Sequence, residues 1–284
     1  MIRNKIMKCC IVGIGKHCQA NLVPALIKLQ DEKLIVITHL CRNNVQNGDA
    51  GLGVSVSQEF PSDVDFIVVC GHPDLHKKAI NFSNKTGIPC FIEKPHLLVD
   101  QYVNEKIMIG YNFNFMTVFQ DQQLNDFDGI NCGMKGTYRS WPDLFPFDMD
   151  LEEYYHAFHS VIVHPISVMI QKFGAPDKVT VKTNQKDLFF MADEVDITML
   201  FHYGDKIKFL NYTSKAEQFY FDIIVNNSVI NCKQYKPDSY YHMLKYYVQS
   251  KFKPTINNVS VGTSVLSVIN DCLAQLQILY DKSH

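Results

Sequence analysis

The sequence predicts an α/β chain in two parts: a doubly wound parallel sheet first, then an α+β region built on a large, mainly antiparallel open sheet. Three observations predict it. Over roughly the first hundred residues, short β-branched runs alternate with helix-like stretches. Those runs are apolar on both faces, as strands of a parallel sheet covered on each side must be. Beyond residue 110 the pattern changes to period-2 alternation joined by tight polar turns, the mark of an antiparallel sheet with one covered face.

Taken in order, KCCIVG (8–13), LIVITHL (34–40), DFIVVCG (65–71) and PCFIE (89–93) read as strands, with helices over Gln19–Gln30 and Asp74–Lys85 between them. The stretch 44–60 has two glycine-containing turns and only a weak strand, VSVS. In the second part, Val195, Ile197, Met199 and Phe201 fall on one face, with a turn at Gly204-Asp205. Phe219, Phe221, Ile223 and Val225 repeat the alternation before a turn at Asn226-Asn227. Two helices close the chain near 238–250 and 262–280. The change of pattern divides the chain into a domain over 1–110 and a second over 111–284.

Composition narrows the partners. A formal net charge of -2 gives no electrostatic reason to expect nucleic acid or an acidic membrane surface, which leaves small molecules and other proteins. The cysteine count is odd, no pair stands at metal or redox spacing, and Cys9, Cys10, Cys41, Cys70 and Cys90 fall in apolar runs where a thiol acts as a small hydrophobe. These features favour a reducing compartment, and a cytoplasmic protein is expected. No apolar stretch reaches membrane-spanning length.

The first strand runs straight into GIGKHC, residues 13–18. Gly13 permits a tight turn, Gly15 lets a pyrophosphate approach the backbone, and the helix start at Lys16 and His17 offers N–H groups. Two glycines also suit an ordinary strand–helix turn. Their position after the first strand of an α/β domain points to a dinucleotide. The second strand ends in Cys41 and Arg42 without a carboxylate, so a 2′-phosphate is favoured over a free ribose hydroxyl, and NADP over NAD. The alternative for Arg42 is a solvated loop position. In CFIEKPH (90–96), Glu93 and Lys94 stand at the carboxyl end of a central strand, where ligands bind in open α/β sheets. A partly desolvated lysine exchanges protons nearer neutrality, and Pro95 stiffens the backbone beside it. Taken alone, these residues suit an exposed ion pair equally well.

Several stretches, in the expected order, resemble the glucose-fructose oxidoreductase, inositol dehydrogenase and MocA family (Gfo/Idh/MocA). GIGKHCQANLVPAL resembles its glycine turn and first helix, CGHPDLH (70–76) its TPxxxH segment, and GIPCFIEKP its GKHVLVEKP signature. IGYNFNF (109–115), HSVIVHPISVMIQKFGAP (159–176) and the tail from Tyr240 to Leu279 resemble the strand, helix and closing helices that follow. The resemblance implies an N-terminal Rossmann domain and hydride transfer between NAD(P) and a sugar, nucleotide sugar or cyclitol. It implies Lys94 as the catalytic lysine and His164 near the reacting hydroxyl. Gly71, Pro73 and His76 would line the nicotinamide side with Glu93, and Asn112, Asn114, His156 and Ser160 would face substrate. Assembly into a homodimer or homotetramer through the second sheet follows from the same likeness.

The chain also departs from that pattern. Ser160 stands where the family has an aspartate, Asn114 where it has an arginine, and Pro165 follows His164 and is expected to kink or restart the helix. The departures touch the substrate side, not the cofactor side. They keep open an imine or double-bond reductase and a non-catalytic NADP-binding regulator. Three histidines in HAFHSVIVH invite a metal, but the run has no carboxylate and a proline interrupts it, so no metal is expected. The aromatic stretch 138–158 suits a wall over the substrate or an oligomer contact.

Overall fold

The computed structural model describes residues 5–42, 48–71, 73–94, 104–120, 126–135, 151–183, 196–213, 215–232 and 238–281. The chain forms two compact units, residues 1–115 with 238–262, and residues 116–237 with 263–284.

The first unit holds strands β1 (Met7–Val12), β2 (Ile35–Cys41), β3 (Ser55–Ser57), β4 (Phe66–Val69), β5 (Cys90–Ile92) and β6 (Ile107–Ile109). They lie in the order β3-β2-β1-β4-β5-β6, and every pairing is parallel. This is the doubly wound arrangement, with its switch point between β1 and β4. Cys9 to Val12, Phe66 to Val69 and Cys90 to Ile92 are completely buried, which explains why these runs are apolar on both faces. The weak VSVS signal is β3, an edge strand paired with β2.

The first helix departs from a plain α-helix. It opens with a π-helical turn, Cys18–Leu22, and becomes α1 (Val23–Asp31) only from Val23. Pro24 stands at the start of α1, directly after that turn, and offers no N–H to the carbonyls before it. The wider turn before it lets Val23 N–H reach the carbonyl of Cys18, five residues back. Helix α2 (Pro73–Thr86) matches the expected span closely.

The second unit holds β7 (Gly129–Lys135), helix α3 (Leu151–Phe173), β8 (Lys178–Thr183), β9 (Asp196–Tyr203), β10 (Lys206–Thr213), β11 (Lys215–Val225) and β12 (Ser228–Asn231). Their order is β12-β11-β7-β10-β9-β8, antiparallel except for β7 beside β10. Ile197, Met199, Phe201, Phe221 and Ile223 are buried, as the alternation predicts. On the opposite face Thr198 Oγ1 donates to Asn211 Oδ1, and Asn211 Nδ2 donates to Asn131 Oδ1, a polar ladder across three strands. The turn residues Asn226 and Asn227 both have positive φ, 48° and 63°, as a two-residue hairpin requires.

Two findings differ from the sequence reading. Helix α3 runs unbroken through Pro165 instead of restarting there. Pro165 gives the carbonyl of residue 161 no donor, but Ile162 to Ile170 are all buried, and that burial outweighs the local loss. The segment 238–262, assigned by pattern to the second domain, belongs to the first unit. There α4 (Ser239–Gln249) buries Tyr241, Met243, Leu244 and Tyr247 in the core formed by Phe66, Phe91 and α1. Tyr247 donates to the carbonyl of Lys106, and Asn258 bridges to Met108 beside β6. Helix α5 (Val259–Asp281) continues into the second unit, where Gln275 bonds Val179 and Val181 of β8.

Candidate active site

Three strand ends of the first unit carry the candidate residues, and the switch point places them together. After β1 the chain turns at Gly13, whose φ is +79° and whose N–H donates to the carbonyl of Cys41 at 2.9 Å. A Cβ at Gly13 would stand 2.4 Å from the carbonyl oxygen of Cys70, so β1 and β4 approach here as only glycine allows. Gly15 is different: a Cβ there would meet nothing within 4 Å. Its backbone is therefore open on the side where a side chain would stand, the shape a pyrophosphate needs, and the glycine turn fits a dinucleotide.

Glu93 and Lys94 follow β5. Glu93 is 1% exposed, and its Oε2 accepts the Lys94 backbone N–H at 3.2 Å. Its Oε1 has no hydrogen-bond partner among the described residues. Gly110, at the end of β6, lies so close that a Cβ would come within 2.6 Å of that oxygen. Burial pushes the Glu93 carboxyl up to about 7, against the opposing influence of Lys94. The same desolvation lowers the half-buried Lys94, with Glu93 and Cys70 resisting the change. Burial thus raises the carboxyl and lowers the amine, which brings the two closer in basicity and suits them to exchange a proton.

The glycine turn and α4 complete the surroundings. His17 Nε2 stands 3.7 Å from Glu93 Oε2 and 3.1 Å from the Tyr240 hydroxyl. The Cys70 thiol is raised by its hydrogen bond with Cys18, by burial and by Glu93. The Tyr240 phenol is held well above its ordinary value by burial and by the same carboxyl. Tyr240 escapes a sequence reading because it lies 223 residues from His17; only the length and phase of α4 hint at a buried face.

The remaining predicted residues have varied placements. Cys41 is buried and its thiol donates to the carbonyl of Gln58. Arg42 follows β2, its backbone N–H bonded to Ser57 and its guanidinium to the carbonyl of Gly48. Gly71 is exposed after β4, whereas His76 is fully buried on α2. Asn112 and Asn114 use their amides internally, donating to Ser239 Oγ at 2.9 Å and to Asn257 Oδ1 at 2.6 Å. His164 is buried on α3 in the second unit. The side chains of Pro73, His156 and Ser160 and the stretch 136–150 lie outside the described residues.

No protein-family model matches the chain, and no curated protein matches it in sequence. Solved structures do match in fold. A dehydrogenase from Chromobacterium violaceum is 17% identical with a TM-score of 0.75, over 99% of each chain. A UDP-N-acetylglucosamine 3-dehydrogenase from Acidithiobacillus ferrooxidans is 12% identical with a TM-score of 0.72, over 97% of this chain and 99% of that one. An oxidoreductase from Agrobacterium radiobacter, solved with NAD+, L-tartaric acid and magnesium, is 10% identical with a TM-score of 0.71, over 96% and 97%. At such identities the likeness is one of architecture, and the chain shares the fold of these dehydrogenases and oxidoreductases along nearly its whole length.

Proposed function

We propose that the protein is a nicotinamide-dependent oxidoreductase that transfers a hydride to or from a carbon of a sugar, nucleotide-sugar or cyclitol-like substrate. The observation that carries this reading is the Glu93–Lys94 pair at the end of β5, next to the switch point and the open backbone of Gly15. A bound nicotinamide supplies the hydride acceptor or donor. The chain supplies Lys94 as the group that takes or returns the hydroxyl proton, and its lowered basicity suits that role. Gly13, Gly15, Lys16 and His17 hold the pyrophosphate end, and Gly71, Pro73 and His76 flank the nicotinamide side. Arg42 favours the 2′-phosphate of NADP over NAD. His164 is a second acid–base group for the substrate, with His156 and Ser160 on the same helix as substrate contacts, and the second sheet joins subunits into a dimer or tetramer.

The test is a calorimetric titration with NADPH and NADH, followed by a panel of sugars, cyclitols and nucleotide sugars read at the nicotinamide absorbance. Tighter binding of NADPH is expected, with the preference lost in Arg42→Ala. Lys94→Ala should lower turnover roughly 10²–10⁴-fold while cofactor affinity stays within a few-fold. Undiminished turnover removes Lys94 from the mechanism.

A further inference from the structure

A buried carboxyl and a phenol from separate stretches of the first unit converge on one nitrogen of the His17 imidazole, and the reading above uses His17 only at the pyrophosphate end. His17 Nε2 lies between Glu93 Oε2 at 3.7 Å and Tyr240 OH at 3.1 Å. The ring is braced on its other side by Asn21, whose Nδ2 stands 3.4 Å from Nδ1 and donates to the His17 carbonyl at 3.1 Å. It meets the Tyr240 ring edge-on at 5.8 Å. The two ends differ sharply in access to water: the His17 side chain is 44% exposed, that of Glu93 2%. A single residue therefore spans the distance from an enclosed carboxyl to solvent.

We propose that Glu93 and His17 form a proton path between Lys94 and bulk water, with Tyr240 as the positioning residue that holds the imidazole in line. The proposal rests on Lys94 being the acid–base group of the reaction. When a secondary alcohol is oxidised, its carbon gives a hydride, two electrons and one hydrogen, to the oxidised nicotinamide, and the oxygen gives its proton to the Lys94 amine as the C=O bond forms. Lys94 must lose that proton before the next turnover. Its ammonium protonates the Glu93 carboxylate, the Glu93 acid protonates His17 Nε2, and the imidazolium releases one proton to water. Reduction of a carbonyl uses the same steps inward. The 3.7 Å gap to Glu93 is slightly longer than a hydrogen bond, and the transfer requires it to shorten.

The groups that face Glu93 are Lys94 beside it, Cys70 from the end of β4, His17 from the glycine turn and Tyr240 from α4. Cys70 and Tyr240 are both held in their neutral forms, so neither drains a proton from the path. Oε1 of Glu93, buried and without a hydrogen-bond partner among the described residues, faces Gly110 and leaves the carboxyl an oxygen to exchange a proton.

The full-length protein tests this in two ways. First, the Glu93 carboxyl is titrated by infrared difference spectroscopy, its band identified by loss in Glu93→Gln. A midpoint near 7 is expected in the unsubstituted protein. It should rise by about one pH unit in His17→Gln, because an imidazolium at this distance favours the carboxylate. Second, at saturating cofactor, since His17 also lies at the pyrophosphate end, turnover on any alcohol from the panel should fall at least about tenfold in His17→Gln. Added imidazole should restore it, and KM for the alcohol should stay unchanged. Tyr240→Phe should lose less and respond to imidazole in the same way. An unmoved carboxyl midpoint, or a slow His17→Gln that imidazole does not rescue, overturns the path while the oxidoreductase reading stands. If even the unsubstituted protein oxidises no alcohol, that reading fails instead. The titration then decides the proton coupling by itself, a raised midpoint supporting it and an unmoved one overturning it.

Discussion

Glu93 shows how a functional group can work against the fold that holds it. Its carboxyl ionises near 7 in the folded chain and at its ordinary 4.5 once unfolded. Between those values the folded state holds more protons than the unfolded one, so stability falls as pH rises through that window and levels off above it. The difference corresponds to a destabilisation on the order of 3 kcal/mol at neutral pH and above. Glu93→Gln keeps the shape and removes the ionisation. Denaturant melts of that variant should show a much flatter dependence between pH 4.5 and 7, with greater stability than the parent at pH 8. A parallel pair of pH profiles would show that Glu93 does not carry the effect. Glu93 and Lys94 were legible beforehand through the resemblance of GIPCFIEKP to a family signature, since the residues alone suit an exposed ion pair equally well. The environment of Glu93 was not, since His17, Tyr240, Cys70 and Gly110 reach it from four other places in the sequence. Asn112 and Asn114 show the reverse case. Their residue types suit a substrate, but their amides join Ser239 and Asn257, partners more than a hundred residues away.

Among the elements, the glycine turn separates fold from function most cleanly. Gly13→Ala would place a methyl group 2.4 Å from a carbonyl oxygen on a backbone with φ of +79°. Differential scanning calorimetry should register a loss of about 2–4 kcal/mol, since strain and overlap add at this position. Gly15→Ala meets nothing within 4 Å. Its melting temperature should stay within about 2 °C of the parent, an effect below roughly half a kcal/mol, while affinity for NADPH drops at least about tenfold. Equal damage from both substitutions would remove the proposed distinction. Strands were the most legible elements, because burial on two faces or on one leaves a direct imprint on residue type. Helix α3 was less so. Pro165 is a local signal to stop, and only the burial of Ile162 to Ile170 shows why the helix continues.

At the scale of the whole molecule, the sequence indicates the doubly wound sheet, the second sheet and a division near residue 110, because each follows from periodicity; the structure puts that division after Phe115. The return of 238–262 to the first unit has no such signature. An amphipathic helix announces that it has an apolar face but not which core receives it. This pairing yields a prediction about fragments. Residues 1–115 alone lack Tyr241, Met243, Leu244 and Tyr247, and should show no cooperative thermal transition. The same residues joined through a flexible linker to 238–262 should regain one. A sharp transition in the shorter fragment would show that α4 is dispensable.

That returning segment also governs how the chain matures during translation. The opening sheet cannot close its core until residues up to 262 have been synthesised. At ordinary ribosomal speeds the intervening stretch takes roughly 7–30 s to make. Throughout that interval the core that holds Cys9, Phe66 and Phe91, sealed in the finished molecule, lacks the side chains of α4 that complete it. The nascent protein is therefore most vulnerable to oxidation and clumping before residues 238–262 emerge, and chaperone capture should be strongest on ribosome-bound chains halted just short of that point.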